Sequence, residues 1–212
     1  MSEIIREACV EGLDQALKAA QLGADRIELC SRLDLDGLTP DPNIIRQARE
    51  RIDIPIRVMI RPRAGDFNYT SEEIAQMKQA IAFCREQEVE GVVFGVLDKD
   101  QEIDLVITRE LIDSAGSLKT IFHRAIESTS SISTSIGLLY QQTSIDAVLV
   151  SGTGGGKAID HAEEFKNLIR LFKERELVVC GKVTEDNLED VHQAIGARSY
   201  HGKLIVGDLK SR

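Results

Sequence analysis

The chain has 212 residues, 42% of them apolar and 29% charged, the balance of an ordinary globular domain. Its 26 Lys and Arg against 35 Asp and Glu leave a net charge of −9, which opposes binding to nucleic acid or to an anionic membrane surface. No apolar run approaches the roughly 18 residues of a membrane span. The four cysteines, Cys9, Cys30, Cys84 and Cys180, form no CxxC pair, so free thiols in a reducing cytoplasm are expected, not a zinc finger or a disulfide scaffold. The opening residues Met1 to Glu7 hold two acids and no apolar core, unlike a secretory leader.

Short β-branched segments alternate with amphipathic stretches from one end to the other. Strand starts are predicted near Ile4, Asp25, Pro55, Gly91, Leu118, Ile145, Glu176 and Ala197, the spacing of a strand plus a returning helix. A first helix is predicted from Gly12 to Gln21, with Leu13, Ala16, Leu17 and Ala20 on one stripe and Gly23 as its stop. The third helix begins behind a Thr70 or Ser71 cap and carries Ile74, Met77, Lys78, Ile81 and Cys84 at spacings of three and four. The Ser/Thr-rich stretch from Ser128 to Ser135 predicts a frayed start for the fifth. A sixth runs from Asp160 through Phe165, Leu168, Ile169 and Phe172, and a seventh from Thr184. His161 and His192 fall on these helices as surface residues.

Segments such as Gly91 to Val96 and Asp146 to Val150 are apolar on both faces, as parallel strands covered by helices must be. Eight near-equal steps close on themselves without a sheet edge, which predicts one α/β domain over residues 1–212, a (β/α)8 TIM barrel. Only eleven residues follow His201. The eighth helix is therefore shortened or missing, or replaced by the strand-like Leu204-Ile205-Val206. Either a second copy, in a homodimer, or the tail itself must cover the seam.

In such a barrel chemistry collects at the carboxyl ends of the strands. Side-chain alternation puts Glu7 and Cys9 on one face of the first strand and Arg26, Glu28 and Cys30 on one face of the second, toward the axis. The third strand repeats the pattern with Arg57, Met59, Arg61 and Arg63. The fifth ends at Phe122-His123-Arg124 and the eighth at Tyr200-His201. Unpaired burial of such groups would cost several kcal/mol each, so they must meet one another or a ligand. Cys84 and Cys180 read as packing residues, as does Met59. The loop Ser151-Gly152-Thr153-Gly154-Gly155-Gly156-Lys157 is flexible enough to bring backbone N–H groups onto an anion, although it is not a Walker loop. The charged, aromatic loop from Arg61 to Tyr69 could close over the mouth.

Three blocks carry a resemblance: Ala24-Asp25-Arg26-Ile27-Glu28-Leu29-Cys30 with Gly37-Leu38-Thr39-Pro40, then Met59-Ile60-Arg61-Pro62-Arg63-Ala64-Gly65-Asp66-Phe67-Asn68-Tyr69, then Phe122-His123-Arg124-Ala125. Over about positions 3 to 200 the chain resembles the copper homeostasis protein CutC family. The resemblance implies a cytoplasmic TIM barrel concerned with copper, bound through cysteines. The positions that match the family's polar set are Glu7, Cys9, Glu28, Cys30, Arg61, Arg63, Asp66, His123, Arg124, Ser151, Gly152, Asn187 and His201. The chain departs from the pattern at Asp36, where a second glycine is usual, and in Cys180-Gly181-Lys182-Val183, which lacks one.

Two functions follow as expectations. Cu(I) is soft and favours thiolate and thioether ligands in low coordination, which Cys9 and Cys30, with Met59 as a further candidate, could supply from adjacent strands. The other is an enzyme for a small anionic metabolite. There Arg61 and Arg63 clamp a carboxylate or phosphate, Glu7 or Glu28 takes a proton and His123 is the partner acid.

Overall fold

The computed structural model describes residues 4–209; the outermost three residues at each end, part of the leader and tail readings, lie outside it. Eight parallel strands form a closed barrel in sequence order: β1 (Ile5–Glu11), β2 (Arg26–Cys30), β3 (Ile56–Met59), β4 (Gly91–Phe94), β5 (Lys119–Phe122), β6 (Ala147–Val150), β7 (Glu176–Val179) and β8 (Ser199–Gly202). Around it pack α1 (Gly12–Gln21), α2 (Pro42–Arg51), α3 (Ser71–Glu86), α4 (Leu105–Ala115), α5 (Ile132–Gln142), α6 (Ala162–Phe172) and α7 (Leu188–Ile195). This is a TIM barrel. Among the described residues no helix is long and apolar enough to cross a membrane.

The local chemistry accounts for the helix boundaries. Thr70 and Glu73 form a reciprocal capping box at the start of α3, and Ile74, Met77, Ile81 and Cys84 bury its inner stripe. The Ser/Thr-rich stretch is not frayed: Ser131 caps α5 through the Thr134 N–H, while Arg124–Ser128 forms a separate short 3-10 turn. The α-helical part of the sixth helix begins at Ala162, after a 3-10 turn from Ala158 to His161. The seventh starts at Leu188, not Thr184, because the Asn187 amide oxygen accepts from the Thr184 N–H and folds residues 184–187 into a turn.

Two cores share the strands. The larger lies between the barrel's outer face and the helices. The smaller fills the lumen with Cys9, Cys30, Met59, Val93, Ile121, Ala147, Leu149, Val178 and Cys180. Among the described residues there is no eighth helix; the chain after β8 folds back through turns and isolated bridges, one joining Leu204 to Thr184. Ile205, Val206 and Leu209 are buried in the outer core, so the tail itself covers the seam.

Candidate functional site

At the amino end of the lumen lies an ionic layer. Arg26 bonds Glu7 and Glu176, Arg57 bonds Glu7 at 3.2 Å, Glu176 at 2.7 Å and Glu90 at 3.3 Å, and the Ser199 hydroxyl donates to Glu176. Arg26 and Arg57 do point inward, but their charge is spent in this layer and does not reach the mouth. Glu7 is the hub. Burial pushes its carboxyl up, but Arg26, the His201 hydrogen bond and Arg57 outweigh that and hold it well below the usual carboxylate range.

One step up, register places Glu7 beside His201 and Cys9 beside Glu28. His201 Nδ1 lies 2.9 Å from Glu7 Oε1, and its Nε2 lies 3.7 Å from Glu28 Oε2. Burial alone would lower the pKa of this imidazole, but the Glu28 and Cys9 charges and the hydrogen bonds with Cys9 and Glu7 push it well above the usual histidine range. Glu28 has the opposite fate. Burial raises its carboxyl to about 8, with His201 opposing and Cys9 and Glu7 adding to the rise. Cys30 Sγ lies 3.6 Å from Glu28 Oε2. A hydrogen bond from Cys30 holds the Cys9 thiol well below the usual thiol range despite its burial, and the same bond with burial keeps Cys30 above that range. One sulfur of each cysteine and one Glu28 oxygen lie within 4.8 Å of one another.

Above this cluster opens a cavity of about 510 Å³ at the carboxyl ends of the strands, lined by Cys9, Glu28, Cys30, Arg61, His123 and His201, among others. Arg124 and Ser151 also line it, whereas Glu7, Arg63, Asp66, Gly152 and Asn187 do not. The clamp predicted from Arg61 with Arg63 does not assemble. The terminal N–H groups of Arg61 donate to the Leu35, Gly37 and Gly65 carbonyls, and Arg63 binds Glu73, Asp66 and the Asn68 carbonyl within its own loop. Asn187 holds the turn before α7. Arg124 reaches the rim paired with Glu127.

The glycine loop is already filled from within the chain. The Ser151 N–H and hydroxyl donate to Glu127, the Thr153 N–H and hydroxyl to Glu164, and the Gly155 carbonyl meets His161 Nε2. Carboxylates of the chain itself thus occupy the Ser151 and Thr153 N–H groups. His161 is consequently not a free surface residue, nor is His192, whose Nδ1 meets the Tyr200 hydroxyl.

The packing role expected for Cys180 understates its place, because its thiol lies in the lumen and lines the cavity. Phe67, Lys182 and Lys203 also line it. A signal for Cys180 exists: it shares parity with the inward Glu176 and Val178 on β7. Asp36, and Lys182 within the departing block Cys180-Gly181-Lys182-Val183, both line the cavity and both hold left-handed φ, 63° and 53°, where glycine is the unstrained residue.

His123 sits over Gly95; a Cβ there would lie 2.5 Å from its Nδ1. Burial, with Arg61 and then Arg124, lowers its pKa to about 3. An unfolded histidine takes up a proton near pH 6.5. Folded His123 stays neutral, so its contribution is complete above pH 6.5 and is lost as pH falls through its folded pKa. Glu7 acts in the same direction below the ordinary carboxylate range. Glu28, raised to about 8, and His201 act in the opposite direction between pH 7 and pH 5, so the expected result is a difference. Over that range the urea midpoint of wild type loses ground against that of His123→Asn, in which only the imidazole is removed, and equal slopes in the two proteins would contradict a buried neutral imidazole.

Fold and site define a TIM barrel whose mouth gathers thiols, carboxylates and imidazoles above a neutralised ionic layer. The pattern of the CutC family matches residues 4–206, and the chain belongs to that family. It is 36% identical over 196 residues to a CutC family protein of Mesorhizobium japonicum, covering 92% of this chain and 75% of that one. It is 34% identical over 198 residues to the human copper homeostasis protein cutC homolog, covering 93% and 72%. The crystal structure of CutC from Streptococcus agalactiae superposes with a TM-score of 0.88 at 30% identity, covering 95% of this chain and 99% of that one. An oxaloacetate acetylhydrolase, at 13% identity and a TM-score of 0.69, shares the barrel fold alone.

Proposed function

We propose that the protein serves copper homeostasis in a reducing cytoplasm by binding Cu(I) at the barrel mouth through Cys9 and Cys30. The observation that carries this reading is the approach of two sulfurs and one carboxylate oxygen to within 4.8 Å at the floor of the cavity. The donor set fits the ion: two sulfurs from adjacent strands suit a soft monovalent cation of low coordination number, and a hard cation would seek more oxygen. The low-lying Cys9 thiol supplies a thiolate without a large proton cost. The ionic layer below keeps Arg26 and Arg57 paired with acids, which removes two positive charges that would otherwise oppose the metal.

Titration of Cu(I) against a competing chromophoric chelator tests this. Wild type is expected to withdraw one equivalent, and Cys9→Ser/Cys30→Ser to bind on the order of a hundredfold more weakly, about 2.7 kcal/mol. Undiminished affinity in the double variant removes the site.

A further inference from the structure

Among the described residues, five buried side-chain atoms have no hydrogen-bond partner in the protein: Glu28 Oε1, Arg61 Nε, Tyr69 Oη, Thr108 Oγ1 and His123 Nε2. Three of them belong to residues that line the one cavity at the mouth. Leaving a buried donor unpaired costs about 1–3 kcal/mol, so their convergence on a cavity points to something that enters it.

Arg61 and His123 define what that is. Arg61 is 5% exposed and His123 4%, so both are built into the wall. Their positions follow from the strands: the Ile60 N–H bonds the Val93 carbonyl, which sets Arg61 just past the end of β3, and the His123 N–H bonds the Phe94 carbonyl, which sets His123 against Gly95. Glycine there is required, since a Cβ would displace the imidazole. Phe67 packs against both, 5.0 Å from the guanidinium carbon and 5.0 Å from the imidazole centroid. The imidazole tautomer is fixed. Its Nδ1 accepts from the Ala125 N–H at 3.2 Å, so the ring proton sits on Nε2 and that nitrogen is a donor. The Arg61 Nε–H has no acceptor in the protein, whereas its terminal N–H groups are engaged by three backbone carbonyls. Two fixed donors therefore remain, one carrying full positive charge.

We infer that the mouth contains, beside the thiol pair, a subsite for a carboxylate-bearing small molecule, its oxygens taking the Arg61 Nε–H and the His123 Nε2–H. Two donors match the two oxygens of a carboxylate edge; a phosphate, with three, asks for more than this wall offers. The exposed Lys182 and Lys203 on the rim favour an anion's approach although the chain as a whole is negative. The subsite uses no thiol and stands apart from the copper reading.

The test uses malonate and inorganic phosphate as probes on the metal-free protein, in wild type, His123→Asn and Cys9→Ser/Cys30→Ser. Asparagine keeps an acceptor for the Ala125 N–H and removes the Nε2 donor. Malonate is expected to bind wild type and the cysteine variant with equal affinity and His123→Asn at least tenfold more weakly. In wild type the His123 Nε2–H proton resonance should shift saturably with malonate, a readout independent of any variant's folding. Absence of that shift, equal affinity in His123→Asn, or tighter binding of phosphate than of malonate would each overturn the subsite. Loss of Cu(I) binding in the cysteine variant with malonate binding intact would separate the two sites.

Discussion

Glu7→Gln is expected to destabilise the protein by about 3–5 kcal/mol, the cost of breaking a buried ion network by removing one partner. Its shape is kept and only its charge is lost. Glu7 is 2% exposed and accepts from Arg26, Arg57 and His201. Without its charge, two buried guanidiniums and the His201 imidazole are left facing only Glu176, Glu90 and Glu28. For a chain of this length the loss corresponds to a fall of roughly 10 °C in melting temperature. Adding Arg26→Met should recover part of it, since the partner left without its charge is then removed as well. A Glu7→Gln melting curve superimposable on that of wild type would show that the layer is not the electrostatic floor described above.

Gly202→Ala is expected to cost about 3 kcal/mol or more, at the upper end of overpacking effects, because the obstacle is backbone. A Cβ on Gly202 would lie 2.2 Å from the Val183 carbonyl oxygen and 3.2 Å from its carbon, and no rotamer change relieves that. β8 would have to leave either β1 or the 180–184 turn, both of which bound the mouth. Gly137→Ala is the control: that glycine lies within α5 with nothing within 4 Å of its Cβ position, and the substitution should stabilise by about 0.5–1 kcal/mol. Chemical denaturation of the two variants side by side checks both signs, and a Gly202→Ala protein as stable as wild type would place β8 wrongly.

The barrel was legible because alternation and spacing are local properties: the period of two on β1 and β2 alone puts Glu7, Cys9, Glu28 and Cys30 inside, where all four are buried. The same reasoning fails where the strand stops. β3 ends at Met59, so nothing in its period describes Arg61 or Arg63. Their positions are set by carbonyls of the 35–37 and 64–68 loops and by Glu73, partners that no pattern along β3 announces. The glycine loop fails for a similar reason. Its conformational freedom is visible in sequence, but Glu127 and Glu164, which fill it, lie 24 residues before Ser151 and 11 after Thr153. Alternation also says nothing of depth. Glu7 and Cys9 share a face, yet one closes the floor as an ion-pair hub and the other opens on the cavity.

X-ray absorption at the copper edge, on protein loaded with one equivalent of Cu(I) under anaerobic conditions, reaches the central assignment directly. A first shell dominated by two sulfur scatterers, lost in Cys9→Ser/Cys30→Ser and unchanged in Cys84→Ser, is the predicted result. A shell of nitrogen or oxygen alone, or sulfur that survives the double substitution, would contradict it.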